Sequence, residues 1–316
     1  MVAVSGSCVW IVPEPHDNRV VPQAPLLPYR NGLAPLRIRL PHGDSAPTVL
    51  AWLEREHPDD PWAASMVARE VVDEKGRPWN PESAYAPGRF VHFYREPAPE
   101  VHVPFELDIL YDADGLVVVD KPHFLATIPR GMHVTETATV RLRRLLDCPD
   151  ITPAHRLDRA TAGVLIFTRP KELRRPYQEL FSEREVLKEY EAVAGFDPSL
   201  EFPRVVRSRI LKDHGVMVAR EEPGEPNSET RIELISNAGS WARYRLFPHT
   251  GRTHQLRIHL SSLGIPIKGD PYYPVYTRTP ADDFDTPLQL LARAIEFDDP
   301  ITGERRRFES RRTLAG

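Results

Sequence analysis

The amino-acid sequence predicts an α+β protein built around a mixed, largely antiparallel sheet. Several β-rich runs follow one another with few helical segments between them, and strands and helices do not alternate regularly. The chain has 316 residues, of which 41% are apolar. That length and composition are sufficient for one large domain and one small domain.

The N-terminal third predicts an arm followed by a small α+β domain. Residues 1–33 are rich in proline and lack a periodic pattern, so we expect an irregular arm. A compact domain should fill 34–98, and the proline-rich segment 96–104 should link it to the rest of the chain. The predicted elements are a strand in "LRIRL", a helix in "APTVLAWLEREH", two strands around a Lys-Gly turn in "REVVDEKGRPWN", and a strand in "YAPGRFVHFYRE".

Residues 105–316 predict the larger domain. A β-hairpin in "ELDILYDADGLVVVDKP" opens it, and "LQLLARAIEF" with "RRRFES" closes it as a second hairpin. The other predicted elements are a helix over 135–147, a buried strand in "GVLIFTR", a helix opened by Pro170 at its first position, strands in "KEYEAVAG", "SETRIELI" and "WARYRLF", and a helix over 253–263 closed by Gly264.

Charge is unevenly distributed along the second domain. The net charge of the whole chain is −4, which does not by itself indicate a nucleic-acid partner. Residues 241–278 nevertheless carry six Arg or Lys and one acid, whereas 279–300 carry six acids and one Arg. A local basic surface could bind an anion while the whole molecule stays acidic, although an ordinary mosaic surface has the same composition.

The cysteines and the apolar runs indicate in which cellular compartment the protein is expected. Cys8 and Cys148 form no CxxC pair or disulfide framework, which favours a reducing cytoplasm. The first residues lack the basic segment and the long apolar core of a signal peptide. No apolar run approaches the roughly 18 residues that a membrane span requires. We therefore expect a cytoplasmic protein without a membrane partner.

Asp158 stands out because Arg156 and Arg159 flank it just before a run of apolar residues. A carboxylate at the edge of a buried sheet needs a nearby positive charge to remain ionised, and an ionised carboxylate is a competent nucleophile. Neighbours at i−2 and i+1 fall on opposite sides of an extended chain, so only one arginine should pair with it. A buried ion pair that fixes the strand edge would place the same residues here.

The segment 246–273 predicts a helix with one apolar and one polar face. The apolar stripe consists of Leu256, Leu260 and Leu263, and the polar stripe consists of His254, Arg257 and Ser261.

The same segment could bind an anion but not a metal ion. Gly251 and Arg252 at the predicted N-terminus suggest close approach to a phosphate, which the helix dipole would assist. Histidines five residues apart on a helix are rotated by about 140° from one another, and no cysteine or acid completes a ligand set. We therefore predict no metal site.

Tyr190 lies in the predicted strand "LKEYEAV". Strand alternation places it on one face with Lys188 and Ala192, and places Glu189 and Glu191 on the other. A tyrosine among apolar strand neighbours is commonly a core aromatic, but its ring is also a surface on which a flat base can stack.

Taken in order, these stretches resemble the RluA family of RNA pseudouridine synthases over about 105–316. "HRLDRATAG" resembles the family's H-R-L-D-x-x-T-x-G stretch, and "LKEYEAVAG" its K-x-Y strand. "PHTGRTHQLRIHLSSLGIPIKGD" is similar to its T-G-R-T-H-Q-x-R helix. "DADGLVVVDKP" and "DPITGERRRF" resemble its opening and closing segments. The resemblance implies the family's catalytic α+β fold for this part of the chain.

The resemblance also implies roles for individual residues. Asp158 would be the nucleophile, and Tyr190 would stack on the target uracil and act as general base. Arg257 would pair with Asp158, and Arg156 would fill the gap left by a flipped-out base. The apolar strand after Gly163 would form the floor of the site beneath the uracil. The complete set of implied substrate contacts is Arg156, His155, Thr161, Leu165, Arg252, His254 and Lys268.

The implied reaction converts specific uridines in RNA to pseudouridine, and it needs no metal or cofactor. Residues 34–98 resemble the small S4 RNA-binding domain, with a structural cap as the alternative. Because such a domain is commoner on relatives that act on the ribosome, ribosomal RNA is the favoured partner and tRNA is the alternative. We expect a monomer.

Two other functions use the same residues. A non-catalytic RNA-binding protein could share the scaffold, although it would not need Asp158, Tyr190 and Arg257 together. A glycoside hydrolase could use Asp158 as nucleophile, and its second carboxylate would then have to be Asp270.

The sequence departs from the family pattern outside the three catalytic positions. Ala162 stands where serine is common, Phe124 where glycine is usual, Leu291 where histidine is frequent, and Pro274 where glycine is common. These departures affect the expected loop geometry and the choice of target.

Overall fold

The computed structural model describes residues 26–315, so most of the arm predicted over 1–33 lies outside the described residues. The chain divides into two compact units. The smaller contains residues up to Pro99 together with Arg143–Pro149, and the larger contains Glu100–Leu142 and the chain from Asp150 onwards. The assignment of 34–98 to an S4-like domain stays a prediction.

The small unit is an α+β structure with a two-stranded antiparallel sheet. Its elements are β1 (Leu36–Arg39), α1 (Val49–Glu56), α2 (Trp62–Val67) and β2 (Phe90–Phe93). Helix α1 begins where the Thr48 side chain accepts a hydrogen bond from the Ala51 amide at 3.0 Å. Leu53, Trp62 and Met66 are almost completely buried and form its core with neighbouring apolar residues.

The two strands predicted around the Lys-Gly turn do not form. Val72 makes only isolated bridges to Pro78 and His92, and the turn is held by the Asp73 carboxylate, which accepts bonds from the Lys75 and Arg77 amides. The segment is too short for a continuous ladder between its turn and its prolines. Helix α2, which the sequence analysis missed, has only six residues and no side-chain cap.

The large unit contains most of the strands. Its elements are β3 (Asp108–Ala113), β4 (Leu116–Lys121), α3 (Ala138–Leu145), β5 (Thr152–Pro153), β6 (Ala162–Thr168), α4 (Lys171–Ser182), β7 (Leu187–Gly195), β8 (Arg204–Leu211), β9 (Arg220–Glu222), β10 (Ser228–Ala238), β11 (Trp241–Pro248), α5 (Gln255–Ser262), β12 (Leu290–Asp298) and β13 (Arg305–Glu309). The division between the units falls within α3, whose residues from Arg143 onwards belong to the smaller unit. Strands β5, β8 and β9 were not predicted, and Pro170 precedes α4 as its N-cap rather than occupying its first position.

These strands form one eleven-stranded sheet within the described residues. The order along the sheet is β3-β4-β6-β12-β7-β11-β10-β8-β9, while β13 pairs with β12 and β5 pairs with β6. Every pairing is antiparallel except that of β6 with β12, which is parallel. The predicted α+β class with a mixed, largely antiparallel sheet is therefore confirmed.

The parallel pairing of β6 and β12 depends on Gly163. Gly163 lies opposite Ala292, and a Cβ atom added to it would stand 2.2 Å from the Ala292 carbonyl oxygen. Its φ of +115° is also one that only glycine adopts readily. Strand β6 is buried along its whole length. The loop that enters β6, which contains Asp158, is consequently held at the centre of the sheet.

No helix in the described part of the chain is long and apolar enough to cross a membrane.

Candidate active site

Asp158 lies in the loop between β5 and β6. Thr127 fixes this loop from both sides, since its hydroxyl donates to the Leu157 carbonyl at 2.8 Å and accepts from the Leu157 amide at 3.1 Å. The Asp158 carbonyl accepts from the Thr161 amide at 3.1 Å, which closes a turn. The Asp158 carboxylate is 34% exposed and accepts no hydrogen bond from any described residue. It is therefore positioned by its backbone and open to a ligand.

Arg257 links Asp158 to a second carboxylate. Its guanidinium binds Asp270 through two hydrogen bonds of 2.8 and 2.5 Å, and its remaining terminal nitrogen lies 3.7 Å from the Asp158 carboxylate. The side chains of Arg257 and Asp270 are each 1% exposed. Burial lowers the pKa of Arg257, but the hydrogen bonds and charge of Asp270, with the charge of Asp158, raise it on balance. Arg257 thus presents a fixed positive charge to the more exposed Asp158.

The predicted two-faced helix is wrong. Helix α5 begins at Gln255, and all residues from Gln255 to Leu260 are buried, including Arg257. The buried polar groups are satisfied within the fold: Gln255 donates to the Glu229 carbonyl, and the His259 ring bonds to Thr230. Because protein surrounds the first six residues of α5, periodicity alone could not identify the orientation of the helix.

His254 stands immediately before α5 in a left-handed conformation with φ of +58°. Tyr273 donates its hydroxyl proton to the Ala219 carbonyl at 2.7 Å, so its oxygen accepts from the His254 Nδ1–H at 3.0 Å. This network assigns the proton to Nδ1 and leaves Nε2, which lies 3.8 Å from the Asp158 carboxylate, as an acceptor. Burial lowers the pKa of His254 to about 4, against the opposing charge of Asp158. A neutral acceptor therefore borders the carboxylate.

Tyr190 lies in β7, opposite Leu246 on one side and Ala292 on the other. It packs against the apolar cluster below the sheet, and its hydroxyl has no hydrogen-bond partner among the described residues. Burial raises its pKa, and the charge of Asp158 raises it further. The phenol is therefore neutral at pH 7 and lies within electrostatic reach of Asp158.

Lys121 is a site residue that the sequence analysis missed. Its buried ammonium donates to the carbonyls of Leu125 at 2.7 Å, Pro122 at 3.0 Å and Arg159 at 3.4 Å. Burial lowers the pKa of Lys121 to about 7, and the Asp158 charge opposes that shift. The "DKP" wording of the opening segment was the available signal, but nothing in it indicated that this lysine lies beneath the Asp158 loop.

The residues predicted to contact substrate occupy different surroundings. Arg156 is exposed, and no hydrogen bond or ion pair joins it to the described residues. Thr161 is buried in the Asp158 turn, and Leu165 is completely buried in β6. The His155 ring stacks on Phe181 with centroids 4.3 Å apart and accepts from the Ile166 amide, and burial lowers its pKa to about 3. His155 is thus engaged in supporting β6.

Arg252 and Lys268, two predicted substrate contacts, have different neighbours. Arg252 is exposed three residues before α5 starts, and it donates to the Asn227 carbonyl at 3.1 Å. The Lys268 ammonium lies 5.5 Å from the centre of the Trp241 ring. Trp241 pairs with Gly195, five residues along β7 from Tyr190, which corresponds to roughly 16 Å. The Lys268 backbone amide donates to the Val193 carbonyl, three residues along β7 from Tyr190, and the ammonium lies toward Trp241.

The basic stretch 241–278 does not form a uniformly free positive surface. Arg243 lies 3.3 Å from Glu191 and Arg245 lies 3.0 Å from Glu189, on the neighbouring strand β7. Arg257 is paired with Asp270. Cross-strand pairing of β7 with β11 thus neutralises charges that a count along the sequence leaves unpaired. Among the described residues, no group of three or more His, Cys, Asp or Glu side chains could hold a metal ion.

Comparison with known proteins identifies this arrangement. The family described as RNA pseudouridylate synthase matches residues 115–262. The dual-specificity RNA pseudouridine synthase RluA of Haemophilus influenzae is 31% identical over 229 residues, which cover 67% of this chain and 97% of that protein. RluA of Escherichia coli K12 is 35% identical over 174 residues, which cover 53% of this chain and 77% of that protein.

Solved structures show the same fold. The human protein named RNA Pseudouridylate Synthase Domain Containing 4 is 27% identical, with a TM-score of 0.51 over 66% of this chain and 88% of that one. The human protein named RNA Pseudouridylate Synthase Domain Containing 1 is 24% identical, with a TM-score of 0.53 over 65% of this chain and 83% of that one. Fold and relatives together define an RNA pseudouridine synthase. Within that class, the chain belongs to the RluA family.

Proposed function

We propose that this enzyme isomerises specific uridines in RNA with Asp158 as the nucleophile. The observation that carries the assignment is the Asp158 carboxylate itself: it is part-exposed, free of hydrogen bonds from the described residues, and 3.7 Å from the buried Arg257 guanidinium. A part-exposed carboxylate that lies beside a fixed positive charge and is not tied down by a hydrogen bond is suited to attack rather than to fold stabilisation. Asp270 is buried and accepts two hydrogen bonds from Arg257, so of the two carboxylates it serves the structural role.

Before attack, the target uridine has to leave the base stack. A uracil inside stacked RNA is inaccessible, so the nucleotide is flipped out into the site. Arg156 is exposed two residues before Asp158 and is unpaired within the described part of the chain, so its side chain is available to occupy the space that the base leaves. The apolar residues of β6 close the site from below.

The isomerisation then exchanges one bond of the nucleoside for another. Asp158 attacks ribose C1′ and the bond between uracil N1 and C1′ breaks. The base then rotates, and a bond between C5 and C1′ forms as the bond between Asp158 and C1′ breaks. C5 loses a proton and N1 gains one, so atoms and charge balance without a co-reactant. Tyr190 removes the C5 proton in this proposal. Because burial and Asp158 keep its phenol neutral at rest, the hydroxyl passes its own proton to water in the same step, and N1 takes its proton from water.

We propose ribosomal RNA as the substrate, with tRNA as the alternative. The S4-like reading of 34–98 supports the ribosome, whereas the name of the Haemophilus influenzae relative, which is called dual-specificity, leaves room for a second RNA class. We also propose that the enzyme acts in the cytoplasm as a monomer, in keeping with its two cysteines that lack framework spacing.

The two rival functions make different demands on the same residues. A glycoside hydrolase would need Asp270 as a proton donor, but Asp270 is 1% exposed and paired with Arg257. A non-catalytic RNA-binding protein would not need an open carboxylate within electrostatic reach of a neutral, partly buried tyrosine.

Tritium release from transcripts containing 5-tritiated uridine tests the proposal. Tritium is released because C5 exchanges its hydrogen for a bond to carbon. We expect the purified enzyme to release it from ribosomal RNA, the proposed substrate, faster than from tRNA. Faster release from tRNA would exchange the proposed substrate for its alternative. RNA binding without any release would favour the non-catalytic protein, and sequencing-based mapping of pseudouridine in total RNA with and without the gene would identify the modified position.

A further inference from the structure

Three phenylalanines of the large unit meet beside the Asp158 loop, and we call Phe105, Phe124 and Phe284 the phenylalanine cluster. Phe105 and Phe124 stack with centroids 6.1 Å apart and an interplanar angle of 23°. Phe284 meets the other two edge-on, with centroids 5.3 Å from Phe124 and 5.9 Å from Phe105. The Arg159 guanidinium lies 5.8 Å from the centre of the Phe124 ring.

Backbone contacts connect this cluster to the candidate nucleophile. The His123 ring, one residue before Phe124, bonds through Nδ1 to the Ala160 carbonyl at 2.8 Å. Burial lowers the pKa of His123 to about 4, so the ring is neutral and Nδ1 is the donor. Arg159, which follows Asp158, reaches the loop of Phe284 through a 3.5 Å hydrogen bond to the Ala281 carbonyl. The cluster therefore lies beside Arg159 and Ala160, the two residues that follow Asp158.

The cluster is not a closed hydrophobic core. Phe105 is 37% exposed, and Phe124 and Phe284 are only partly buried. Phe124 also adopts a left-handed backbone conformation, with φ of +67°. That conformation is unfavourable for an aromatic residue, and such outliers tend to occur where a side chain serves a functional purpose. A partly exposed aromatic surface at this point can take a flat ligand.

Charge around the cluster determines which part of a nucleotide it can accept. The buried Nε of Arg159 has no hydrogen-bond partner among the described residues, and its guanidinium offers positive charge beside Phe124. Asp282, Asp283 and Asp285 flank Phe284, and they would repel a phosphate from that side. A base face on the rings, with its phosphate toward Arg159, satisfies both constraints.

We propose that the phenylalanine cluster is a stacking subsite for a nucleobase next to the target uridine in a single-stranded stretch of RNA. The inference rests on the proposed function, because it assumes that the flipped uridine lies at Asp158. Stacking on an aromatic ring accepts any base, so the subsite would select unpaired RNA rather than a particular sequence. It would hold the strand beside the site while the target base is inserted.

Binding of short oligoribonucleotides tests the subsite. The probes are a fluorescently labelled nonauridylate and the same strand with abasic residues at every position except the central uridine. With the wild-type protein, we expect the abasic strand to bind about tenfold more weakly, as the loss of a stacked base implies. Phe124→Gly suits the left-handed backbone, and Phe284→Leu retains apolar volume. Each should weaken binding of the nonauridylate about tenfold and leave binding of the abasic strand unchanged.

Trp241→Leu is the matched control, since Trp241 is 38% exposed and lies at the far end of β11. It should alter binding of neither strand. Equal binding of the two strands by wild type, the absence of binding included, would overturn the subsite. So would an equal loss for both strands in the two phenylalanine variants, which a purely structural cluster would produce.

Tritium release from ribosomal RNA and tRNA, measured on the same wild-type preparation, separates the two proposals. Tritium release together with equal binding of the nonauridylate and the abasic strand would remove the subsite alone. Failure to release tritium from either RNA would remove the proposed function instead.

Discussion

At the scale of single residues, the site is a chain of charges graded by exposure. Asp270 is fully enclosed, Arg257 lies between the two carboxylates, and Asp158 reaches solvent. Replacing either buried partner, Arg257 or Asp270, by a neutral residue is destabilising, because the other is left as an uncompensated buried charge. The part-exposed Asp158 carboxylate lies 3.7 Å from one terminal nitrogen of the guanidinium, and no hydrogen bond ties it down.

Arg257→Met tests how this chain of charges is divided between folding and catalysis. The polar face that the sequence predicts for Arg257 would make this substitution damage catalysis more than stability. Its burial with Asp270 corrects that expectation. We now expect thermal or urea unfolding to show a loss of about 3–5 kcal/mol, together with loss of activity.

The double variant Arg257→Met with Asp270→Asn is the control. It should regain a large part of the lost stability, because no unpaired charge remains buried, but it should stay inactive. Recovery of tritium release in the double variant would show that Arg257 does not act on Asp158.

Tyr190→Phe separates stacking from proton removal. The phenylalanine ring retains the surface on which uracil would stack, while the hydroxyl proposed to accept the C5 proton is lost. We expect RNA affinity within a few-fold of wild type and a large fall in tritium release, measured under single-turnover conditions. Wild-type rates in Tyr190→Phe would assign the base to another group.

At the scale of elements, the parallel contact of β6 with β12 positions the Asp158 loop. Gly163 allows the two backbones to approach, and a Cβ at this position would collide with Ala292. The substitution Gly163→Ala should therefore cost about 3 kcal/mol in free energy of unfolding and reduce activity through displacement of the loop.

Gly303→Ala isolates the conformational part of that cost. Gly303 also has a positive φ of +74°, but nothing lies within 4 Å of the added Cβ. The Gly303→Ala variant should lose about 1 kcal/mol in free energy of unfolding, which is the ordinary penalty of a left-handed residue other than glycine, and its activity should not change. Similar losses for both variants in chemical denaturation would show that close backbone approach at Gly163 is unimportant.

Elements with a strong local pattern could be predicted from the sequence, and the helix that carries Arg257 could be predicted only in outline. The hairpin β3–β4 was recognisable because Asp114 and Gly115 supply the two left-handed residues of a tight turn. The orientation of α5 was not, because Gln255 and His259 are buried polar residues whose hydrogen-bond partners lie on distant strands. Periodicity assigns such residues to solvent.

The candidate site shows the same limit. Asp158, Tyr190 and Arg257 could be chosen from local wording and family resemblance. Asp270 as the main partner of Arg257, and Lys121 beneath the loop, depend on contacts between segments far apart in sequence. The pairing of Arg243 and Arg245 with glutamates likewise depends on the register of β7 with β11.

At the scale of the whole molecule, neutral histidines make stability depend on pH. Burial lowers the pKa to about 4 for His123, His254 and His259, and to about 3 for His155. In the unfolded chain these side chains bind protons near pH 6.5, whereas the folded protein excludes them until much lower pH. The unfolded state therefore binds more protons in this window, and stability is lost as pH falls.

Calorimetry between pH 7.5 and about 5, above the range where most carboxylates titrate, should show a falling Tm. His214→Gln, which changes an exposed histidine, should keep the same pH dependence. His259→Asn should flatten it, because one neutral buried imidazole is removed. A Tm that does not fall between pH 7 and 5 would contradict the neutral state of these rings.

Single-turnover tritium release by Asp158→Asn tests the central claim most directly. The amide retains the shape of the side chain and removes the nucleophile, so RNA affinity should stay within a few-fold of wild type. Because loss of a covalent nucleophile costs several orders of magnitude, release should fall below about one per cent of the wild-type rate. Release above that level from a folded variant free of wild-type enzyme would contradict the assignment of Asp158 as the nucleophile.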